Sequence, residues 1–561
     1  ELELLLTPEA FGLLRRAGPV GRARALRKRA ARLERTEGAE HPETLACLSR
    51  LASLLSELGQ LEEAEGLCRR VVEASERAAG PAHPRTLAAV GSLAALLSGC
   101  GRLQEAERLL RHALEVRERL LGPAHLATLG VCHDLAAALA AMGTPPGDEA
   151  EVLCRRAVDG RAASLGASHP DALASLGLLA GLLAAAGSLQ EAEAAYREAV
   201  QRRAEALGPA HLDTLSLQGD LGALLSGQEG RRREAEDLYR AALAGAERGL
   251  GAAHPVALTL LHNLAVLVRR AEGREQEAVE LYQMTVECSE LVLGPDDART
   301  LASRAALAGL LQALGRAEEA EQCWLRVVAG REVTLGPGHP ATARASRELA
   351  AMLQERGDFG AAEAALQAAL SASEAASGPS HPATLACLDA LARLLRAAGR
   401  YQKAASVARC ALEARESSHL PDSHPDVARS LGALAALLGL LGKGDEAEAL
   451  ARRALRGREA AHGEDHAEAL DAAEALADLL ASSGKYEEAV ALARRALRGR
   501  REALGDAHPG TLGPLGRLAG FLLACGNHAA AEPLVQQALA RHEAAPGQSS
   551  PALLAAAASL A

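Results

Sequence analysis

Residues 83–124 read HPRTLAAVGSLAALLSGCGRLQEAERLLRHALEVRERLLGPA. In the first half, Leu87, Val90, Leu93, Ala94 and Leu97 fall at three- and four-residue steps, the spacing that gathers side chains on one face of an α-helix. A glycine stops the pattern. It resumes with Leu103, Ala106, Leu109, Leu110, Ala113, Leu114 and Val116, and Gly122-Pro123 ends this second amphipathic helix. The stretch therefore predicts a helical hairpin.

The same opening recurs at His41, His83, His125, His169, His211, His254, Asp297, His339, His381, His424, His466 and His508, at steps of 42 to 44 residues, and Ser550-Pro551 starts another copy. A fixed period of this length marks an array in which each hairpin buries its apolar stripe only by stacking on its neighbours. Pro after the marker suits the first helical position, where a missing N–H has no partner to lose. The marker His or Asp is placed at the N-cap. The recurrent Thr of the first turn (Thr44, Thr86, Thr128, Thr214, Thr300, Thr342, Thr384, Thr511) is placed to support a free backbone group.

The chain has 561 residues, no Pro- or Ser-rich linker and only nine aromatics, so a core of small aliphatic side chains at close helix spacing is expected. A net charge of −11 over this length argues against binding nucleic acid by phosphate neutralisation. No apolar run is long enough to span a membrane and no signal-peptide leader is recognised, so a cytoplasmic protein without membrane insertion is expected. The start at Glu1 suggests a piece of a longer or processed chain. Ten scattered cysteines read as reduced core residues, with a regulatory disulfide the alternative. Marker histidines one hairpin apart cannot share a metal, and no phosphate loop, H-E-x-x-H or G-x-S-x-G occurs. Neither catalysis nor a cofactor is expected.

The pattern H-P-x-T-L-x-x-L-x-x-L-A-x-L-L, followed by A-E-x-L-x-x-x-A-L-x-x-R-E-x-x-L-G-P, resembles the 42-residue tetratricopeptide repeat of kinesin light chains and nephrocystin-like proteins. Leu51-Ala52, Leu93-Ala94, Leu264-Ala265 and Leu391-Ala392 match the small positions of its first helix; Ala64-Glu65, Ala106-Glu107, Ala192-Glu193 and Ala362-Glu363 match those of its second. The resemblance implies an all-α, right-handed superhelical α-solenoid of tandem helix-turn-helix repeats. On this reading residues 1–40 are a degenerate N-terminal repeat or cap, 41–549 hold twelve repeats, and 550–561 begin a further first helix. The basic cluster from Arg22 to Arg35 then keeps the unpaired end wet, or docks an acidic surface.

The resemblance also implies that first helices line a concave groove for peptides, gripped in some members by Asn just before Leu-Ala. Here only Asn263 stands at that position. Residues five, eight, twelve and fifteen after the marker share one helix face, which is bland in most copies (Ala88, Gly91, Ala95, Ser98). It becomes basic at Arg344, Arg347, Arg393, Arg396 and Arg429, and acidic at Asp471, Glu474 and Asp478. Guanidinium forks suit an acidic peptide or protein segment. The alternative is mutual neutralisation of the two patches, with Glu348 and Asp389 diluting the basic field. His262, Asn263, Arg269 and Arg270 form a second candidate. Tyr196, Tyr239, Tyr282 and Trp324, at one position of successive second helices, read as core filling. The function expected is a non-catalytic scaffold or adaptor. The alternatives are the sensor arm of a larger signalling NTPase and a structural spacer without a groove ligand.

Overall fold

The computed structural model describes residues 19–143, 148–506 and 508–544. The opening apolar segment around Leu4 to Leu14, the loop Thr144–Gly147 and the helix expected from 550 lie outside the described residues. Among those described there are 25 α-helices, one short 3-10 turn and no strand. The chain divides into two compact units, Glu1–Leu281 and Tyr282–Ala561.

The hairpin at 83–124 forms as expected, from helices Pro84–Gly99 and Leu103–Leu121. Its first helix buries more than one stripe: Thr86, Ala89 and Leu96 are covered along with Leu87, Val90, Leu93, Ala94 and Leu97. The second helix fully buries only Ala106, Leu110 and Ala113. The difference follows from stacking, because a first helix packs on its own partner and on the second helix of the preceding hairpin, and also approaches neighbouring first helices. Its buried arc is therefore wider than one amphipathic face.

The markers act as helix caps. Each of the eleven imidazoles accepts, through Nδ1, the backbone N–H two residues on at 3.1–3.4 Å, and Asp297 does the same through Oδ1 at 2.9 Å. The preceding second helix ends at a glycine such as Gly80, whose φ of 92° lies in the left-handed region that disfavours other residues. The recurrent Thr closes the loop from the other side. In seven copies its hydroxyl donates to that glycine's carbonyl at 2.8–3.0 Å, from a fully or almost fully buried position. A second tie comes from the arginine near the end of the second helix: Arg117, Arg161, Arg203, Arg331 and Arg458 each donate to the carbonyl two residues past the marker. Thr86→Val, which keeps the shape and leaves the Gly80 carbonyl without this partner, is expected to cost about 1–2 kcal/mol. Faster amide exchange localised to Pro84–Gly99 would register it.

The copy at His508 departs from the others. A 3-10 turn, Pro509–Thr511, precedes a helix that begins only at Leu512 and ends at Ala524. The reason is Pro514. In a helix started at 509 it would fall in the second turn, lacking its hydrogen bond and clashing with the preceding carbonyl, whereas a start at 512 puts it in the first turn, where no N–H is needed.

Candidate partner-binding surface

Within the first unit, first helices of successive hairpins approach one another directly, whereas their second helices make no comparably close approach. Long side chains span the wider side. Arg27–Glu63, Arg69–Glu105, Arg111–Glu149, Arg155–Glu191, Arg197–Glu234 and Arg240–Glu277 pair successive second helices at 2.5–2.9 Å. These pairs are largely exposed, so each contributes little to stability on its own. The second-helix surface is thus committed to holding neighbours together. The first helices leave their outward face free: Ala88, Ser92 and Ala95 are exposed between buried leucines.

In the second unit that face carries the basic residues singled out from the sequence. Arg344 and Arg347 lie on Pro340–Glu355, and Arg393 and Arg396 on the neighbouring first helix Pro382–Ala397. Arg344, Arg393 and Arg396 are exposed and Arg347 is half-buried. None of the four is ion-paired to a carboxylate; the Arg393 Nε donates to the Asp389 carbonyl at 3.4 Å, and the Arg347 Nε is buried without a partner. Arg331, from the preceding second helix, adds to this field. Burial first and the charge of Arg344 second lower its pKa.

Two groups expected to neutralise the patch are occupied elsewhere. The Asp389 carboxylate takes two bonds from the buried Arg415, at 2.6 and 3.1 Å, and Arg415 also donates to Ser430 at 2.6 Å. The acidic residues are held from their own side of the array: Arg500 pairs with Asp471 and Glu474, and Arg517 with Glu474 and Asp478. Arg429 stands apart from the other four. It pairs with Asp426 at 2.8 Å and lines, with Asp471 and Asp478, a cavity of about 670 Å³ floored by Ala451 and Ala454. Arg331, Arg415, Arg500 and Arg517 are determinants of the patch that the sequence reading did not single out; the first three share one signal, a constant distance from their markers Asp297, His381 and His466.

The second candidate lies along the first helix Pro255–Arg269 and its C-cap Arg270. Asn263 bonds the buried Tyr239 hydroxyl, His262 is half-buried with its pKa lowered by burial and then by Arg269, and Arg269 and Arg270 are left exposed at the helix end. Tyr196, Tyr239, Tyr282 and Trp324 are all buried, as core filling requires. The ten cysteines are free, and burial pushes the Cys154 thiol up to about 12. Among the described residues no three His, Cys, Asp or Glu side chains are placed to hold a metal ion, and no helix is long and apolar enough to cross a membrane.

One histidine on the first-helix wall does respond to its surroundings. His133 lies 3.3 Å from the Ser175 hydroxyl, which Arg161 also contacts at 2.7 Å, and burial, then Arg161, lowers its pKa to about 4. The unfolded chain takes up that proton near pH 6.5, so the folded state loses stability as pH falls from about 6.5 to about 4 and loses none to this group below that. His133→Gln is expected to remove this share of the acid sensitivity. Paired urea titrations at pH 7 and pH 5 measure it as the difference between the two proteins.

Tetratricopeptide-repeat models match residues 177–248, 228–291, 256–323, 298–375, 342–417 and 426–502 in one form and 44–85, 86–127, 128–171 and 515–552 in another. The chain belongs to the tetratricopeptide repeat family. Among solved structures, nearly identical TPR-like repeats assigned to a kinesin light chain of Podosopora anserina are 30% identical over 37% of this chain and 98% of theirs, with a TM-score of 0.34. BtubC (BKLC) from P. vanneervenii is 25% identical over 44% of this chain and 93% of its own, with a TM-score of 0.35. No curated protein matches the chain. Tetratricopeptide repeat arrays serve as protein–protein interaction scaffolds, and the hairpins, caps and stacked first helices described above are the parts of such an array.

Proposed function

We propose that the chain is a non-catalytic, cytoplasmic adaptor that takes an acidic segment of a protein or peptide partner on the first-helix wall of residues 340–397. The observation that carries this reading is the set of four arginines, Arg344, Arg347, Arg393 and Arg396, on two neighbouring first helices with no carboxylate of the fold paired to them. Like charges gathered on one wall repel one another at some cost to the fold, and a carboxylate-rich ligand removes that cost while gaining forked hydrogen bonds. The helices fix the backbone positions of the arginines, so within the fold the order lost on binding is confined to their side chains.

The test uses a fluorescein-labelled peptide with four glutamates at three- and four-residue spacing, beside its glutamine counterpart. The glutamate peptide should bind, weaken as salt rises, and lose at least about tenfold in affinity to the Arg393→Glu, Arg396→Glu double variant. Equal binding of the two peptides, or no effect of the double reversal, would favour a spacer without a ligand on this wall.

A further inference from the structure

The first unit holds a cavity of about 1070 Å³ whose lining includes Gly177, Leu178, Gly181, Leu182, Tyr196 and Asp220. The first four lie on the first helix Pro170–Ala185, and Asp220 lies on the next first helix, Leu212–Ser226. Gly177 and Gly181 keep the wall low: a Cβ at Gly181 would stand 3.4 Å from the Tyr196 hydroxyl.

Asp220 is the unusual member. Its carboxylate makes no ion pair and feels no nearby cation; although the residue is open to solvent, the protein packed around it raises its pKa. The other acids of the lining are satisfied, Glu107 and Glu149 by Arg111 and Glu151 by Arg155. Arg108, the lining's unpaired cation, sits on the second helix Leu103–Leu121, three hairpins before the one that carries Asp220. The phenols of Tyr196 and Tyr239 flank Asp220; burial first and its charge second push both up to about 12, so both remain protonated beside it. Tyr239 is further held by Asn263. Open to solvent and given no cation by the fold, this carboxylate is free to take one from a ligand, and the apolar wall beside it strengthens the pairing once water is displaced.

We propose that this cavity binds a lysine or arginine side chain of a peptide partner, its cationic head on Asp220 and its aliphatic stem along Gly177, Leu178, Gly181 and Leu182. The chemistry fits the parts. A long cationic side chain is apolar along its stem and charged only at its tip, matching a low apolar wall that ends in one carboxylate. Glycine at two wall positions leaves room for the stem, and the two phenols fix the direction from which the head arrives. The site is separate in charge and place from the arginines of residues 340–397.

The test uses fluorescein-labelled octapeptides of leucine and glycine with one central lysine, and versions with arginine, acetyl-lysine or glutamate there, read by anisotropy with the full chain. The lysine and arginine peptides should bind, and the acetyl-lysine and glutamate peptides should be about tenfold weaker or worse. Asp220→Asn should cost the lysine peptide the same factor while leaving the melting curve unchanged or raised. Gly181→Leu, which fills the stem channel, should weaken the lysine and arginine peptides together. The double reversal at Arg393 and Arg396 should leave lysine-peptide binding intact, so the two sites fail separately. Equal binding of lysine and acetyl-lysine peptides, full affinity in Asp220→Asn, or no binding of the lysine peptide at millimolar concentration would each overturn the proposal.

Discussion

Asp389→Ala is expected to destabilise the second unit by about 3 kcal/mol, a large effect for one surface-facing carboxylate. The reason lies in its partner. The Arg415 side chain is 5% exposed against 33% for Asp389, so removing the aspartate leaves a buried guanidinium with Ser430 as its remaining side-chain partner. An exposed arginine would turn to water; this one cannot without unpacking Tyr401–Ser417 from its neighbours. Arg415→Met should cost less, because Asp389 can be solvated where it stands. Denaturant unfolding of the two variants gives the order. Because arrays unfold repeat by repeat, amide exchange across 382–417 is the sharper readout. The effect should persist in high salt, which screens exposed pairs far more than buried ones.

Gly457→Ala should cost about 2–3 kcal/mol, although Gly to Ala inside a helix normally stabilises by about 1 kcal/mol. Gly457 is buried in Gly444–His462, and a Cβ there would lie 2.1 Å from the backbone oxygen of Asp422. That loop cannot easily retreat. Arg453 grips the Asp422 carboxylate at 2.7 and 3.0 Å and Glu416 at 3.0 Å, and its hydrogen bond holds the Asp422 pKa below the ordinary range. Gly432→Ala in the adjacent first helix is the control, since a Cβ there meets nothing within 4 Å and should follow the normal rule. Thermal melts of the two variants should move in opposite directions. A rise in both would show that the approach at Asp422 has room to relax.

The hairpins, their caps and their aromatic core were legible in the sequence because each is a local pattern repeated many times. Periodicity gave the helices, glycine and proline gave their ends, and the constant Thr marked the bond that closes the loop. The shifted start at Leu512 was also written there, in Pro514, but only as a conflict between one residue and the register of its neighbours. What could not be read was the pairing of charges. Asp389 finds Arg415 and Glu474 finds Arg500 at a shared separation of 26 residues, in two copies where an acid happens to face that arginine, while Glu474 also finds Arg517 at 43. Those partners decide which charges of the first-helix wall remain available. The arginines at 344, 347, 393 and 396 stay unpaired, Arg429 turns to Asp426, and the acids from 471 to 478 are neutralised from the following helices. The width of the buried arc was hidden for a related reason, since a helix packed against its neighbours on either side buries positions that a single amphipathic stripe leaves out.

The most direct measurement of the account is where a bound acidic ligand touches the array. A glutamate-rich peptide carrying a photo-reactive group at its centre, cross-linked to the full chain and mapped by mass spectrometry, should mark the first helices Pro340–Glu355 and Pro382–Ala397. Adducts confined to second helices such as Phe359–Ser377 or Tyr401–Ser417 would contradict it.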